Sequence, residues 1–260
     1  MRHAKRQAMA QDAAQKKRKE RGRSLALIRG LAAFAFVGCL GFAGYQLLVH
    51  PGTPLPPQWN PTQPLVISQP VTPFTSMKLN RAVSSPDACL VALDGFAALQ
   101  SMDDFTQSDQ CSIRDRVGLR GVGDVALRPF ETRCAIALRM AMWERHALQP
   151  AAQEIFGTPL RSMDHFGSFS CRQMRTSSGQ STRMSSHATA DAVDIAGFGL
   201  SDGRQISLLS GWNGTRDDAA FLRAARDGAC KWFRLTLSPD YNSLHADHFH
   251  LQSTGWGLCR

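Results

Sequence analysis

The chain has 260 residues, room for one good-sized domain or two small ones with appendages. Its 43% hydrophobic and 20% charged content is ordinary for a globular protein. A formal net charge of +9 suggests a polyanionic partner, but residues 1–29 hold ten Lys/Arg against Asp12 and Glu20, so that segment carries +8 and residues 30–260 only +1. A domain that reads nucleic acid by charge is basic on its folded part, so no nucleic-acid partner is expected.

The basic segment abuts residues 30–49, an uncharged apolar stretch. Twenty residues at helical rise span about 30 Å, the hydrocarbon thickness of a bilayer. No small-x-small cleavage site follows, so an uncleaved anchor is expected rather than a signal peptide. Positive charge on the inner side then places residues 1–29 in the cytoplasm and everything after residue 50 outside, as a single-pass protein. Cysteine usage agrees with that orientation. Cys39 lies in the span, and Cys89, Cys111, Cys134, Cys171, Cys230 and Cys259 all lie beyond it without a C-x-x-C pair. In an oxidising compartment such a set predicts three disulfides, with 15 pairings open.

Residues 50–74 contain eight prolines, which predicts an extended linker over residues 50–78. The folded domain is expected over residues 79–260. Its first half reads as helical: Ser85-Pro86-Asp87 is a helix start, and Ala135, Leu138, Met142 and Trp143 recur at helical spacing within 130–148. The second half reads as strands. Residues 169–174 form a short candidate, and 192–200 and 205–209 flank the turn signal Ser201-Asp202-Gly203. Asp217-Asp218 precedes a helix over 219–229, and strands over 233–237 and 249–252 close the domain. The expected class is α+β, a helical half beside a small antiparallel sheet.

Two clusters carry chemistry. His245, His248 and His250 fall within six residues, and on a strand His248 and His250 face one way while Phe249 and Leu251 face the other. Asp194 sits between Val193 and Ile195, where an ionised carboxylate is costly unless paired or metal-bound. His187 lies on the segment entering that strand. Two histidines and one carboxylate form a catalytic Zn²⁺ ligand set that leaves a position for water.

Ser185-x-His187-x-x-Ala190-x-Ala192-x-Asp194 followed by His248-x-His250 resembles the S-x-H-x-x-G-x-A-x-D … H-x-H pattern. That pattern marks the zinc D-alanyl-D-alanine carboxypeptidase and penicillin-insensitive murein endopeptidase group. Ala190 departs from it, standing where the pattern has Gly. From about residue 80 onward the chain also resembles the bacterial extensin-like C-terminal family, in Cys171-Arg172, the Ser-His…Val-Asp-Ile run, Trp212, Ser238-Pro-Asp-Tyr-Asn and Asp-His-Phe-His. The resemblance implies that His187, Asp194 and His250 bind Zn²⁺ and that His248 serves as general base or stabilises the tetrahedral intermediate. It implies for Arg183 either a hold on a substrate carboxylate or oxyanion, or a solvated charge. Asp247 and His245 would orient the imidazoles, and His146 and His165 are expected to be ordinary surface or core residues. The function the resemblance implies is a membrane-anchored zinc peptidase that hydrolyses peptidoglycan peptides, with the inner membrane engaged through residues 30–49 and the C-terminal domain in the periplasm. The alternative is a non-catalytic wall-binding module that keeps the fold and the metal site.

Overall fold

A computed structural model describes residues 2–176 and 179–260. The chain divides into two compact units, Met1–Thr62 and Gln63–Arg260. The first is built on one helix, α1 (Arg2–Val49), whose segment Gln15–Val49 is long and apolar enough to cross a membrane. The described apolar side chains from Leu25 to Leu47 are exposed, Phe34 at 80%. Pro51 ends the helix because it has no N–H to continue the ladder. The last carbonyls find side chains instead: Leu48 O accepts from Asn60 Nδ2 (2.6 Å) and Thr62 Oγ1 (3.2 Å), and Leu47 O from Thr53 Oγ1. The proline-rich stretch, expected as one extended linker, is therefore divided. Residues 50–62 fold against the helix end, while Leu65 and Ile67 are buried in the core of the second unit.

That unit begins with α2 (Thr75–Val83) and α3 (Pro86–Leu93). Ser85 caps α3 by accepting from Ala88 N, with Pro86 in the first helical position, where its missing N–H costs nothing. Five strands follow where the sequence suggested helix: β1 (Ala97–Ser101), β2 (Phe105–Ser108), β3 (Cys111–Ile113), β4 (Arg116–Val122) and β5 (Val125–Arg133). Helix α4 (Cys134–Trp143) therefore starts four residues later than expected. A π-helical turn (Glu144–Leu148) joins it to α5 (Gln149–Phe156). Then come β6 (Leu160–Gly167), β7 (Gln173–Thr176), β8 (Gly179–Met184), β9 (Ala192–Leu200), β10 (Gln205–Ser207), α6 (Leu208–Gly211) and α7 (Arg216–Trp232). Thr215, rather than the aspartates, caps α7; Asp217 and Asp218 lie in its first turn, where the helix dipole favours them. Strands β11 (Leu235–Leu237), β12 (Phe249–Gln252) and β13 (Leu258–Cys259) complete the unit.

The class is α+β, but the sheet is neither small nor purely antiparallel. Nine strands run in the order β1-β4-β5-β6-β9-β12-β11-β13, with β10 also paired to β9. The β5–β6 and β11–β13 pairings are parallel. The connection from β5 to β6 carries α4 and α5, as a parallel pair requires. Helix α4 buries every face, so it lacks the polar stripe of a surface helix. Its Trp143 makes edge contacts with Phe198, Phe233 and Phe249 and donates to Ala225 O of α7. Helices α4 and α7 thus cover the sheet face that carries Val193, Ile195, Phe249 and Leu251. Three disulfides fasten the unit: Cys89–Cys134, Cys111–Cys171 and Cys230–Cys259.

Candidate metal centre

Alternation along β9 and β12 buries Val193, Ile195, Phe249 and Leu251 under the helices and turns Asp194 and His250 to the opposite face. The antiparallel register sets these two directly across from one another. His250 Nδ1 lies 2.8 Å from Asp194 Oδ1. The third member comes from the connection between β8 and β9. Ser185 opens a 3-10 turn (Ser186–Thr189) by accepting from His187 N, and the turn brings His187 Nε2 to 3.1 Å from Asp194 Oδ2 and 3.2 Å from His250 Nδ1. One donor atom from each of His187, Asp194 and His250 lies within 4.8 Å of the others.

His250 and His187 meet different oxygens of Asp194, at 2.8 and 3.1 Å, and each other at 3.2 Å, so the three side chains converge closely enough for one ion to draw a single atom from each. The proton positions point the same way. His187 Nδ1–H donates to Ser168 O (2.8 Å), which leaves Nε2 turned on a carboxylate oxygen of Asp194. Two acceptors at that distance repel unless a proton or a cation lies between them. The Gln252 carboxamide nitrogen donates to His250 Nε2 (2.7 Å), so the proton of that ring sits on Nδ1 and is given to Asp194 Oδ1 (2.8 Å), the place a metal ion would take over. The residues present therefore fit a divalent ion.

Burial would raise the Asp194 carboxyl, but hydrogen bonds and charge from His187 and His250 outweigh it and hold the group far below the usual carboxylate range. Burial pushes His250 below the ordinary imidazole value despite Asp194. His248 stands just before β12, with Nδ1 on Asp247 Oδ1 (2.8 Å) and Nε2 3.7 Å from Asp194 Oδ1. His245 Nδ1 is held by Asn242 Oδ1 (2.7 Å), and its ring lies 5.2 Å from that of His248. Burial, then the nearby His250 and His248, push His245 down to about 4.

The loop carrying His187 is braced by residues the sequence did not single out. Arg133 bridges Asp191 Oδ1 (2.7 Å) and Asp115 Oδ2 (3.1 Å), while Asp191 Oδ2 accepts from Thr189 Oγ1 (2.7 Å). Ser168 Oγ bonds Ala192 O (2.6 Å) and Thr132 Oγ1 (2.7 Å). Ala190, between two presumed ligands, is buried and has φ +50° and ψ 29°, the left-handed conformation that suits the Gly of the motif. Arg183 is exposed on β8, and among the described residues its guanidinium makes no ion pair or hydrogen bond with the triad.

The model for the extensin-like protein C-terminus matches residues 87–260, well over half the chain and the whole of the site. The chain belongs to the extensin-like C-terminal family. Its family domain starts at the first turn of α3 and ends with the chain's last residue. No curated protein and no solved structure matches the chain.

Proposed function

We propose that this extensin-like chain is a membrane-anchored, zinc-dependent peptidase that hydrolyses peptide bonds of peptidoglycan at the periplasmic side of the inner membrane. The observation that carries the reading is the convergence of His187 Nε2, Asp194 and His250 Nδ1, with His248 directly beside them. These three would hold Zn²⁺, which when bound supplies a water of depressed pKa and polarises the scissile carbonyl. His248 then has the geometry of a general base. Its Nδ1–H is fixed by Asp247, so Nε2 faces the centre, able to take a proton from the attacking water and return it to the leaving amine. Asp247 steadies the ring while it carries the extra charge. His245, with its value near 4, stays neutral at pH 7 and adds no competing positive charge. The near-neutral charge after residue 29, the apolar helix and the disulfides all suit an exported domain acting on wall peptides.

The test uses the full chain in detergent with purified muropeptides. About one Zn²⁺ per chain is expected, with cleavage abolished by chelator and restored by Zn²⁺. His187→Ala and His250→Ala should lose the metal. His248→Ala should keep it and lose on the order of 10²–10⁴ in rate, the usual contribution of a positioned base. A chain without zinc would remove the site. A zinc-loaded chain that binds sacculi and cuts nothing would leave the wall-binding module in place of the peptidase.

A further inference from the structure

Beside the centre the sheet opens into a cleft of about 280 Å³, lined among others by Asp164, Phe166, Gly197, Ile206, Leu209 and Asp247. It is continuous with the presumed reaction site, because Asp247 bonds His248 and the Phe166 ring stands edge-on to His248 at 5.7 Å. Two bulges shape it: the β6–β9 register skips Phe166 on one strand and Ala196 on the other. Such bulges re-aim side chains next to sites. Gly197 keeps the floor low, since a Cβ there would meet Ile206 O at 3.0 Å and Asp164 Oδ2 at 3.4 Å.

The walls have two characters. Phe166 and Leu209 are 60% and 69% exposed, an apolar lining open to solvent. Asp164 and Asp247 add two carboxylates that no Lys or Arg approaches within salt-bridge distance among the described residues. The volume holds one side chain rather than a glycan strand. An apolar stem with a positive head matches both characters at once.

We propose that this cleft is a specificity subsite that receives a substrate side chain ending in a primary ammonium, with Asp164 as the carboxylate that selects it. The inference deepens the peptidase reading and rests on it for the neighbouring chemistry. Asp164 is exposed and takes no part in the triad, so Asp164→Asn should leave zinc content and melting temperature unchanged.

The test measures binding and cleavage by the full zinc-loaded chain in detergent. Its probes are peptidoglycan stem peptides with a free side-chain amine and the same peptides N-acetylated. The wild type should bind the free amine about five- to tenfold more tightly, a margin that narrows with salt. In Asp164→Asn the ratio should fall to near one, with the acetylated peptide bound as before. Equal binding of the two peptides by the wild type, binding of neither, or a preference undiminished in Asp164→Asn would overturn the subsite. Amine-selective binding without cleavage would keep the subsite and remove the peptidase. Cleavage without amine preference would do the reverse.

Discussion

Two aspartates lie three residues apart, Asp191 at the end of the connection between β8 and β9 and Asp194 within β9, and they are solved in opposite ways. Around Asp191 every strong acceptor has its donor: Arg133 and Ser253 on one oxygen, Thr189 on the other. Around Asp194 the partners are two imidazoles, and with Nδ1–H of His187 already given to Ser168 O, only a further proton or a cation completes the contact of Nε2 with the carboxylate. The first arrangement is complete within the protein and serves as a brace. The second is complete only with something positive added. Burial alone does not separate them, since both aspartate side chains are 13% exposed. What distinguishes a brace from a site here is whether the chain supplies its own counter-charge.

The largest effect should come from removing that counter-charge where it exists. Arg133→Met leaves Asp115 and Asp191 without their shared cation and should cost about 3 kcal/mol in urea unfolding, in keeping with a broken, partly buried pair. Zinc affinity should fall about tenfold with it, because Asp191 shapes the turn that carries His187. Unchanged affinity beside lowered stability would show the two groups to be independent.

A smaller effect is expected at His165, whose Nε2 donates to Arg128 O (2.7 Å) while its buried Nδ1 has no partner. Here an unmatched lone pair faces no acceptor and calls for no cation. Burial lowers the value of this imidazole, so on acidification the unfolded chain takes up the proton first. Its contribution to stability is therefore present above about pH 6.5 and lost as pH falls toward the lower folded value. His165→Gln should flatten the acid side of a urea-midpoint profile between pH 7.5 and 5. A slope that survives the substitution would assign it to other groups, half-buried His146 among them, whose value burial also lowers.

The smallest change is predicted at Ala190. A left-handed alanine costs about 1–2 kcal/mol. Glycine would remove that strain, but would lose roughly 0.8 kcal/mol of methyl burial and about 0.5–1 kcal/mol to the freer unfolded chain. The terms nearly cancel, so Ala190→Gly should leave the melting temperature within about 2 °C. A gain well beyond that would mean the turn is strained more than its backbone angle indicates.

The site was more legible in the sequence than the fold around it. An aspartate between Val193 and Ile195, and two histidines alternating with Phe249 and Leu251, state their own faces once the strand period is applied. These positions meet because β9 and β12 pair in register. The first half of the domain was misread because a helix prediction over 130–148 took in the end of β5. Val117 alternates with Leu119 and Val125 with Leu127, but Gly118, Gly121 and Pro129 interrupt the period of two in both strands. The parallel β5–β6 pairing has no local signature, since it depends on where α4 and α5 return the chain. Arg133, Ser168 and Gln252 were missed for the same reason. Arg133 lies 58 residues from Asp191, and nothing near it in sequence marks the partnership.

The bond between Cys111 and Cys171 reaches further than its two residues. Segment 168–172 brackets the ligand turn on both sides, Ser170 N donating to His187 O and Arg172 O accepting from Ser185 N, and Cys171 ties that bracket to β3. On the proposed reading, oxidative folding would have to precede metal loading. Polypeptide made with its thiols reduced would carry all the donor atoms yet hold them on a slack tether, so a preparation's redox history would set how much ion it retains.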